Sequence, residues 1–376
     1  MNLEELESKK ALVRFDYNVP MDNGEIVNDF RIRKSLQTIK MLLDNNNKII
    51  IASHLGRPTE GELEKELSLE PICKYLSTVL NKRIKFFTNL SAVIDFEGYD
   101  VAMLENMRFN VGEKICDPKL SKTLASLADV FVFDAFGVSH RKECSTYGVA
   151  DFIDVIPGLN IKHEITTINR LINEVSRPMT IIISGSKVST KLALIRKLLN
   201  RCDNMILGGG ILNTFLKAKG YEVGKSLTDS KFLSEAADIL NSSLGSKIFL
   251  PSDYTCQTNH GVENISLSSI SDTDTIYDLG IGSITEIKNI IEGSSSIFWN
   301  GPLGLVEKKP FDNGTKELAK AIARHNCFSI VGGGDTLPII ENLDLQDDYT
   351  CLSTGGGSLL TYLEGGSLPI LEKLDI

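Results

Sequence analysis

The sequence predicts an α/β fold of two doubly wound parallel-sheet domains facing each other across a cleft and joined by a hinge helix. Three observations carry that prediction. Eleven short apolar runs, rich in β-branched residues and nearly continuous rather than alternating, are separated by stretches of helical pattern; strands buried on both faces of a parallel sheet read this way. A helical stretch between two prolines splits the runs into four and seven. Nearly every unusual polar or glycine cluster follows the carboxyl end of a run, where open parallel sheets bind their ligands.

In chain order the first four runs are "ALVRFDYNV", "KIIIASHL", "VAMLEN" and "DVFVFDAF". The other seven are "MTIIISGS", "NMILGGG", "KIFLPSD", "TIYDLGIG", "SIFWNGP", "SIVGGGDT" and "TCLSTGGG". Between the two groups, "PGLNIKHEITTINRLINEVSRP" keeps Ile161, Ile165, Ile168, Leu171, Ile172 and Val175 at helical spacing. Pro157 and Pro178 bound it, because proline is tolerated at a helix start and not inside. The expected division is a first domain at 1–157, a connecting helix at 158–176 and a second domain from 177.

Composition narrows the class. At about 100 to 200 residues per domain, 376 residues suit two domains. The apolar fraction of 42% and charged fraction of 24% are those of a globular chain in water, and no apolar stretch approaches the roughly 18 residues of a membrane helix. The amino terminus opens with acids and has neither a basic start nor an apolar h-region, so the expected location is the cytoplasm. Seven cysteines without a CxxC pair predict reduced thiols and no zinc site. A net charge of -9 repels nucleic acid and anionic lipid at long range, so neither is an expected partner, and an anionic substrate requires a local positive pocket.

The glycine clusters supply one candidate site. A strand that ends in glycines and leads into a helix lets backbone N–H groups and the helix dipole face a phosphate. Gly332, Gly333 and Gly334 fit this; Asp335 can then hold a magnesium ion carried by the phosphates, and Thr336 can bind a phosphate oxygen or cap the helix. A single such loop reads as an ordinary αβ turn, but three triplets, at 208, 332 and 355, point to phosphate binding. In "SGSKVSTK", Lys187 and Lys191 share a face if a helix begins there, so both can point along one phosphate chain. In "FWNGPLGLVE", Trp299 reads as core, Gly301 and Pro302 as a turn, and Glu307 as a group able to bind a sugar hydroxyl. "KGYEVGKS" is no P-loop, because Gly220 and Gly224 are separated by three residues instead of four. None of the triplets completes GxGxxG either, since Asn213, Leu337 and Leu360 occupy the sixth positions, which disfavours a nicotinamide cofactor.

The first half carries a different chemistry. Arg31, Arg57, Arg108 and Arg141, with His54 and His140, lie in or beside strand-end loops of a half that has no glycine triplet. Guanidinium forks suit carboxylates and phosphates held in one orientation, and four of them in an acidic chain suggest a small, highly anionic ligand.

Taken together and in order, "VRFDYNVP", "DFRIRKSLQTI", "SHLGRPTEGE", "LENMRFNVGEK", "DAFGVSHRKECST", "GSKVSTKLALI", "LGGGILNTFLKAKG", "VGKSL", "WNGPLGLVE", "GGGDT", "STGGG" and "LEGGSLPIL" resemble phosphoglycerate kinases of the bacterial type over almost the whole chain. Departures from the family pattern fall at Gln37, Phe133, Val138, Ser139, Ser184 and Pro338, and none removes a charged ligand. The resemblance implies a monomeric glycolytic kinase that transfers a phosphoryl group reversibly between 1,3-bisphosphoglycerate and Mg-ADP, giving 3-phosphoglycerate and ATP. It implies that Asp16, Asn18 and Arg31 hold the carboxylate end of 3-phosphoglycerate, while His54, Arg57, Arg108 and Arg141 complete a basic pocket, largely around the 3-phosphate. It implies a nucleotide site at Gly185, Lys187, Lys191, Gly209, Asn300, Pro302, Glu307, Gly333, Gly334, Asp335 and Thr336, with Asp335 as the Mg2+ ligand. Arg31, Lys187, Lys191 and the N–H groups at Gly333 and Gly356 are the expected catalytic groups. The second domain would run 177–362, and the segment 363–376 would return to the first. The alternatives are a kinase of a related small carboxylic acid on the same scaffold and a non-catalytic protein that retains the fold.

Overall fold

The computed structural model describes residues 2–90, 98–374 and 376. The chain divides into two compact units, one running to Thr166 and resuming at Gly357, the other spanning Thr167–Gly356.

The first unit holds β1 (Lys10–Phe15), a small antiparallel hairpin of β2 (Met21–Asp22) and β3 (Glu25–Ile26), then β4 (Lys48–Ala52), β5 (Ile84–Phe87), β6 (Val101–Leu104), β7 (Val130–Asp134) and β8 (Val155–Pro157). Six of these form one parallel sheet in the order β5-β6-β4-β1-β7-β8. β1 is buried from Ala11 to Phe15 and β7 throughout, which is why both read as unbroken apolar runs. β5 and β8 were not legible as strands. Both lie at the sheet edges: β5 carries Lys85 in an alternating pattern, and β8 is three residues ending in a proline, which only an edge tolerates.

The second unit holds β9 (Met179–Ser184), β10 (Asn204–Gly208), β11 (Ile248–Phe249), β12 (Asp253–Thr258), β13 (Gly261–Ser266), β14 (Thr275–Leu279), β15 (Ser296–Asn300), β16 (Phe328–Gly332) and β17 (Cys351–Ser353). Its parallel sheet runs β11-β10-β9-β15-β16-β17. The run "TIYDLGIG" belongs elsewhere: it is β14 of a separate antiparallel sheet, β13-β12-β14. Its alternation of half-buried and buried positions, Thr275 to Asp278, fits a sheet with one covered face rather than two.

The connecting helix is Leu159–Asn173, and the division between the units falls within it, at Thr166. Ile161, Ile165, Ile168 and Leu171 are its buried stripe. It stops short of 176, because Arg177 precedes a proline and that position disfavours the α region. Its start is fixed by Asp134 at the end of β7, which accepts from the Ile161 N–H at 2.9 Å, the Asn160 amide at 2.8 Å and the Thr38 hydroxyl at 2.6 Å. Asp134 is thus spent on orienting this helix. The segment from Gly357 onward already belongs to the first unit, earlier than residue 363, and carries the helices Gly357–Leu363 and Pro369–Leu374. No described helix is long and apolar enough to cross a membrane.

Candidate active site

In the first unit β1 is followed by β4 on one side and, later, by β7 on the other, so the carboxyl ends of β1 and β7 flank the reversal of strand order. That is where open sheets bind ligands. Arg31 stands in the first turn of the helix Phe30–Asp44 and places Nη1 2.6 Å from Asp16 Oδ2. Asp16 Oδ1 accepts from the Asn18 N–H at 3.1 Å, and Asn18 Oδ1 accepts from the Gly56 N–H at 2.9 Å. Arg108 donates to the Gly56 carbonyl at 2.8 Å and to Glu143 Oε1 at 2.9 Å, which also receives Arg141 at 3.4 Å. Asp16, Asn18, Arg31, Arg108 and Arg141 are therefore joined in one network. Arg57 follows Gly56 in the same loop with an exposed side chain. His140 lies 2.6 Å through Nδ1 from the hydroxyl of Ser358 in the returning segment.

His54 sits deeper, 1% exposed, with Nδ1 3.1 Å from Arg14 Nη2 and 4.0 Å from Asp16 Oδ1. Burial, reinforced by Arg14, Arg108 and Arg31, holds its pKa well below 6.5, so the ring is neutral. Behind it lies a buried layer that sequence reasoning missed. Arg14, in register with Ala52 and Phe133 in the middle of the sheet, is fully buried. It donates to Ser145 Oγ at 3.1 Å, to Ser53 Oγ at 3.4 Å and to the Phe15 carbonyl. Ser145 in turn donates to the fully buried Glu113 through its hydroxyl and its N–H. Burial pushes the Glu113 carboxyl up to about 7. The available signal was Arg14 itself, a lone charge inside the run "ALVRF".

The second sheet has the same plan. From β9 the chain moves outward through β10 and β11 and returns on the other side of β9 as β15, so the reversal lies between the ends at Ser184 and Asn300. Backbone from several strand ends crowds there. A Cβ at Gly301, where φ is +95, would stand 2.4 Å from the Ser184 carbonyl oxygen, and one at Gly333, φ +122, 3.4 Å from the Gly301 nitrogen. Only glycine fits. Gly209 packs against the Gly185 carbonyl in the same way, and Pro302 accepts from the Ser184 hydroxyl. Gly334 and Gly356 differ, since a Cβ at either would meet nothing within 4 Å; Gly356 takes a left-handed φ of +45, and at Gly334 neither packing nor backbone requires glycine.

Lys191 lies at the centre of this region, donating to the Ser184 carbonyl at 2.5 Å and to Asn300 Oδ1 at 2.7 Å. Burial lowers its pKa from 10.5 to about 8, opposed by the negative charge of Asp335. Asp335 is exposed, beside the Gly333 turn. Among the described residues no group of three acidic, histidine or cysteine side chains could hold a metal by itself. One exposed carboxylate next to a phosphate cradle fits a magnesium ion that arrives on a nucleotide, since Mg2+ keeps waters and takes one or two carboxylates plus phosphate oxygens.

Two expectations change here. The helix after β9 begins at Leu192, so Lys187 and Lys191 do not share a helical face; Lys191 turns inward, while Lys187 is exposed on the preceding turn. Thr336 occupies the N-cap position of the helix Leu337–Asn342 but makes no capping bond, and its buried hydroxyl has no partner among the described residues. Thr336 is therefore not the cap that the sequence allowed. Glu307 is exposed, and Trp299 is fully buried with Nε1 donating to the Gly301 carbonyl at 2.7 Å. The third triplet, Gly355–Gly357, straddles the division between the units.

Comparison with known proteins identifies the family and the fold. A family model described as phosphoglycerate kinase matches residues 1–366. The chain is 41% identical over 377 aligned residues to a phosphoglycerate kinase of Francisella philomiragia, covering 98% of this chain and 96% of the relative. It is 42% identical to that of Legionella pneumophila, covering 98% and 95%. Among solved structures, phosphoglycerate kinase from Coxiella burnetii superposes with a TM-score of 0.87 at 36% identity, covering 100% of this chain and 98% of that one. The enzyme from Pyrococcus horikoshii superposes with a TM-score of 0.88 at 28% identity and the same coverage.

Proposed function

The chain belongs to the phosphoglycerate kinase family, and from that premise we propose that it transfers a phosphoryl group reversibly between the acyl phosphate of 1,3-bisphosphoglycerate and Mg-ADP, giving 3-phosphoglycerate and ATP. The observation that carries the reading is that each sheet reverses its strand order beside a site of complementary chemistry, arginine-rich in the first unit and glycine-lined in the second.

On this reading Asp16 fixes the Arg31 guanidinium, and Arg31 with Asn18 holds the carboxylate end of the acid. Arg57, Arg108 and Arg141 receive the 3-phosphate, and His54 contributes an N–H donor. Lys187, Lys191 and the N–H groups at Gly333 and Gly356 neutralise charge on the transferring group, Gly185, Gly209, Gly334 and Thr336 line the phosphate chain, and Asn300, Pro302 and Glu307 flank the nucleoside. Bound at Asp335, magnesium would supply further charge neutralisation on the nucleotide phosphates. No general base is needed, because a carboxylate nucleophile is ionised at pH 7. His54 is poorly suited to act as one, because a pKa held well below 6.5 makes it a weak base and its Nδ1 is occupied by the Arg14 donor. Rate enhancement then rests on positioning and on preorganised positive charge. The acid and the nucleotide bind on different units, so transfer requires closure about the connecting helix, which brings the reactants together and excludes water.

We further propose that the enzyme works as a monomer in the cytoplasm without nucleic-acid or membrane partners. A coupled assay of ATP-dependent 3-phosphoglycerate phosphorylation, with magnesium present or withheld, tests the reaction. Turnover only with magnesium is expected; turnover with a different small acid in place of 3-phosphoglycerate would overturn it.

A further inference from the structure

The buried layer beneath the arginine cluster is not accounted for by ligand contacts. Arg14 and Glu113 are both 0% exposed, and the guanidinium meets Ser53, His54, Ser145 and the Phe15 carbonyl. Burying such charges is costly unless they accomplish something that apolar residues of the same volume would not. The hydrogen bonds form a chain with one direction: Glu113 accepts from Ser145, Ser145 Oγ accepts from Arg14 Nε at 3.1 Å, and Arg14 Nη2 meets His54 Nδ1 at 3.1 Å. A guanidinium has only donors. His54 Nδ1 must therefore accept, and in a neutral ring the proton must sit on Nε2.

We infer that Arg14 and Glu113 are positioning residues that lock His54 as the Nε2–H tautomer, making it a fixed donor for an oxygen of the anionic acid. His54 Nε2 is buried and has no hydrogen-bond partner among the described residues. A buried donor left without a partner costs about 1–3 kcal/mol, and an anionic oxygen is the group that removes this cost. The charged groups around the ring are Arg14 from β1, Asp16 from the loop after β1, Arg31 from the helix Phe30–Asp44, and Arg108 from the loop after β6. Three of the four are cations, so they oppose protonation of the ring and keep Nδ1 available to Arg14. Glu113 lies two hydrogen bonds away, where it accepts from Ser145 and orients Arg14 through it without competing for the ligand.

The functional consequence rests on the proposed reaction, but the tautomer can be read without it. The experiment is a two-bond 1H–15N correlation on the full-length protein labelled with 15N-histidine, with His54→Asn assigning the ring by loss of its signals. The expected wild-type ring is neutral with Nε2 protonated throughout the range from about pH 5 to 8, where an ordinary histidine titrates. Arg14→Met should release the tautomer and raise KM for 3-phosphoglycerate on the order of tenfold, as for one lost hydrogen bond, while KM for ATP stays the same. Arg14→Lys keeps a donor and should restore both readouts in part. A wild-type ring protonated on Nδ1, or one titrating near 6.5, overturns the inference even if Arg14→Met fails to fold. An unchanged His54 spectrum in Arg14→Met does the same. If the wild type fails to phosphorylate 3-phosphoglycerate, the proposed reaction falls, and the tautomer result is still decided.

Discussion

Lys191→Met separates catalysis from stability in a single substitution. The ammonium is held by the Ser184 carbonyl at 2.5 Å and Asn300 Oδ1 at 2.7 Å, and burial lowers its pKa from 10.5 to about 8. That depression corresponds to roughly 3 kcal/mol by which the folded protein disfavours the charged form. Methionine has nearly the same length and removes that cost, but it strands two acceptors, at about 1–3 kcal/mol for a buried unsatisfied group. The two effects oppose each other, so the melting temperature should move by only a few degrees. Activity has no such compensation. An electrostatic donor aimed at transferring phosphate is worth about 100- to 1000-fold in rate, or about 3–4 kcal/mol. Steady-state turnover and calorimetry on the same preparation decide the matter.

The pH dependence follows from the same lysine. On the proposed role the active form is the ammonium, so kcat/KM for the nucleotide should fall as pH rises through about 8, the value in the free protein. A bound phosphate restores negative charge beside Nζ, so the corresponding limb in kcat should lie higher. For stability the sign is opposite: below about 8 the penalty is fully present, and it is relieved between about 8 and 10.5, where the unfolded chain still holds a proton that the folded one has released. Lys191→Met should abolish both trends. A variant retaining turnover within about threefold of wild type, far inside the range expected for such a donor, would refute the assigned role, as would a wild-type profile flat across pH 8.

Other perturbations probe separate parts of the molecule. Arg31→Ala, which removes the 2.6 Å partner of Asp16, should reduce turnover on the order of 100-fold or more with calorimetric binding of Mg-ADP unchanged. Asp335→Asn should raise the magnesium concentration needed for half-maximal turnover and leave the affinity for 3-phosphoglycerate unaltered. Burial pushes the Asp278 carboxyl from 3.8 up to about 7, so its ionisation is a penalty that grows as pH rises through that interval; Asp278→Asn should therefore gain melting temperature relative to wild type between pH 4 and 7, measured by scanning calorimetry. X-ray scattering should show a smaller radius of gyration with acid and nucleotide together than with either alone, and an unchanged radius would remove closure from the mechanism.

The parallel strands at the centre of each sheet were legible because nothing polar interrupts them: β7 is buried at all five positions, and β9 at all six. The strands that escaped are those the environment leaves ambiguous. β5 and β8 are edges, and β12 and β13 alternate or face outward, with polar residues outnumbering apolar ones in "DYTCQT" and making up half of "GVENIS". Tyr254 and Cys256 are buried while Thr255 and Gln257 are not, the period of a half-covered sheet, and a six-residue alternation with polar side chains on both faces resembles loop. The run of β14 was visible but was placed in the wrong sheet, since pairing partners lie outside the segment that is read.

For the site, the split follows chemistry rather than position. Groups able to bind anions are of few types, and they sit at strand ends where the sheet topology collects them: Arg31, Arg108, Lys191 and the glycines of Gly332–Gly334 stood out by their number and shared position, since each alone reads as structural. The layer that orients them is under no such restriction. Glu113 lies in "NVGEK" and Ser145 in "ECSTY", segments that read as ordinary loop, and only the fold brings them to Arg14 from separate parts of the chain. The one exposed clue was energetic. An arginine in the centre of a strand that is otherwise Ala, Leu, Val and Phe must find partners inside the protein, because a buried charge without them would cost more than the whole domain's margin of stability. A charge that interrupts a buried strand next to a ligand-binding end is therefore a search instruction for a second layer, and here following it leads from Arg14 to His54 in one direction and to Glu113 in the other.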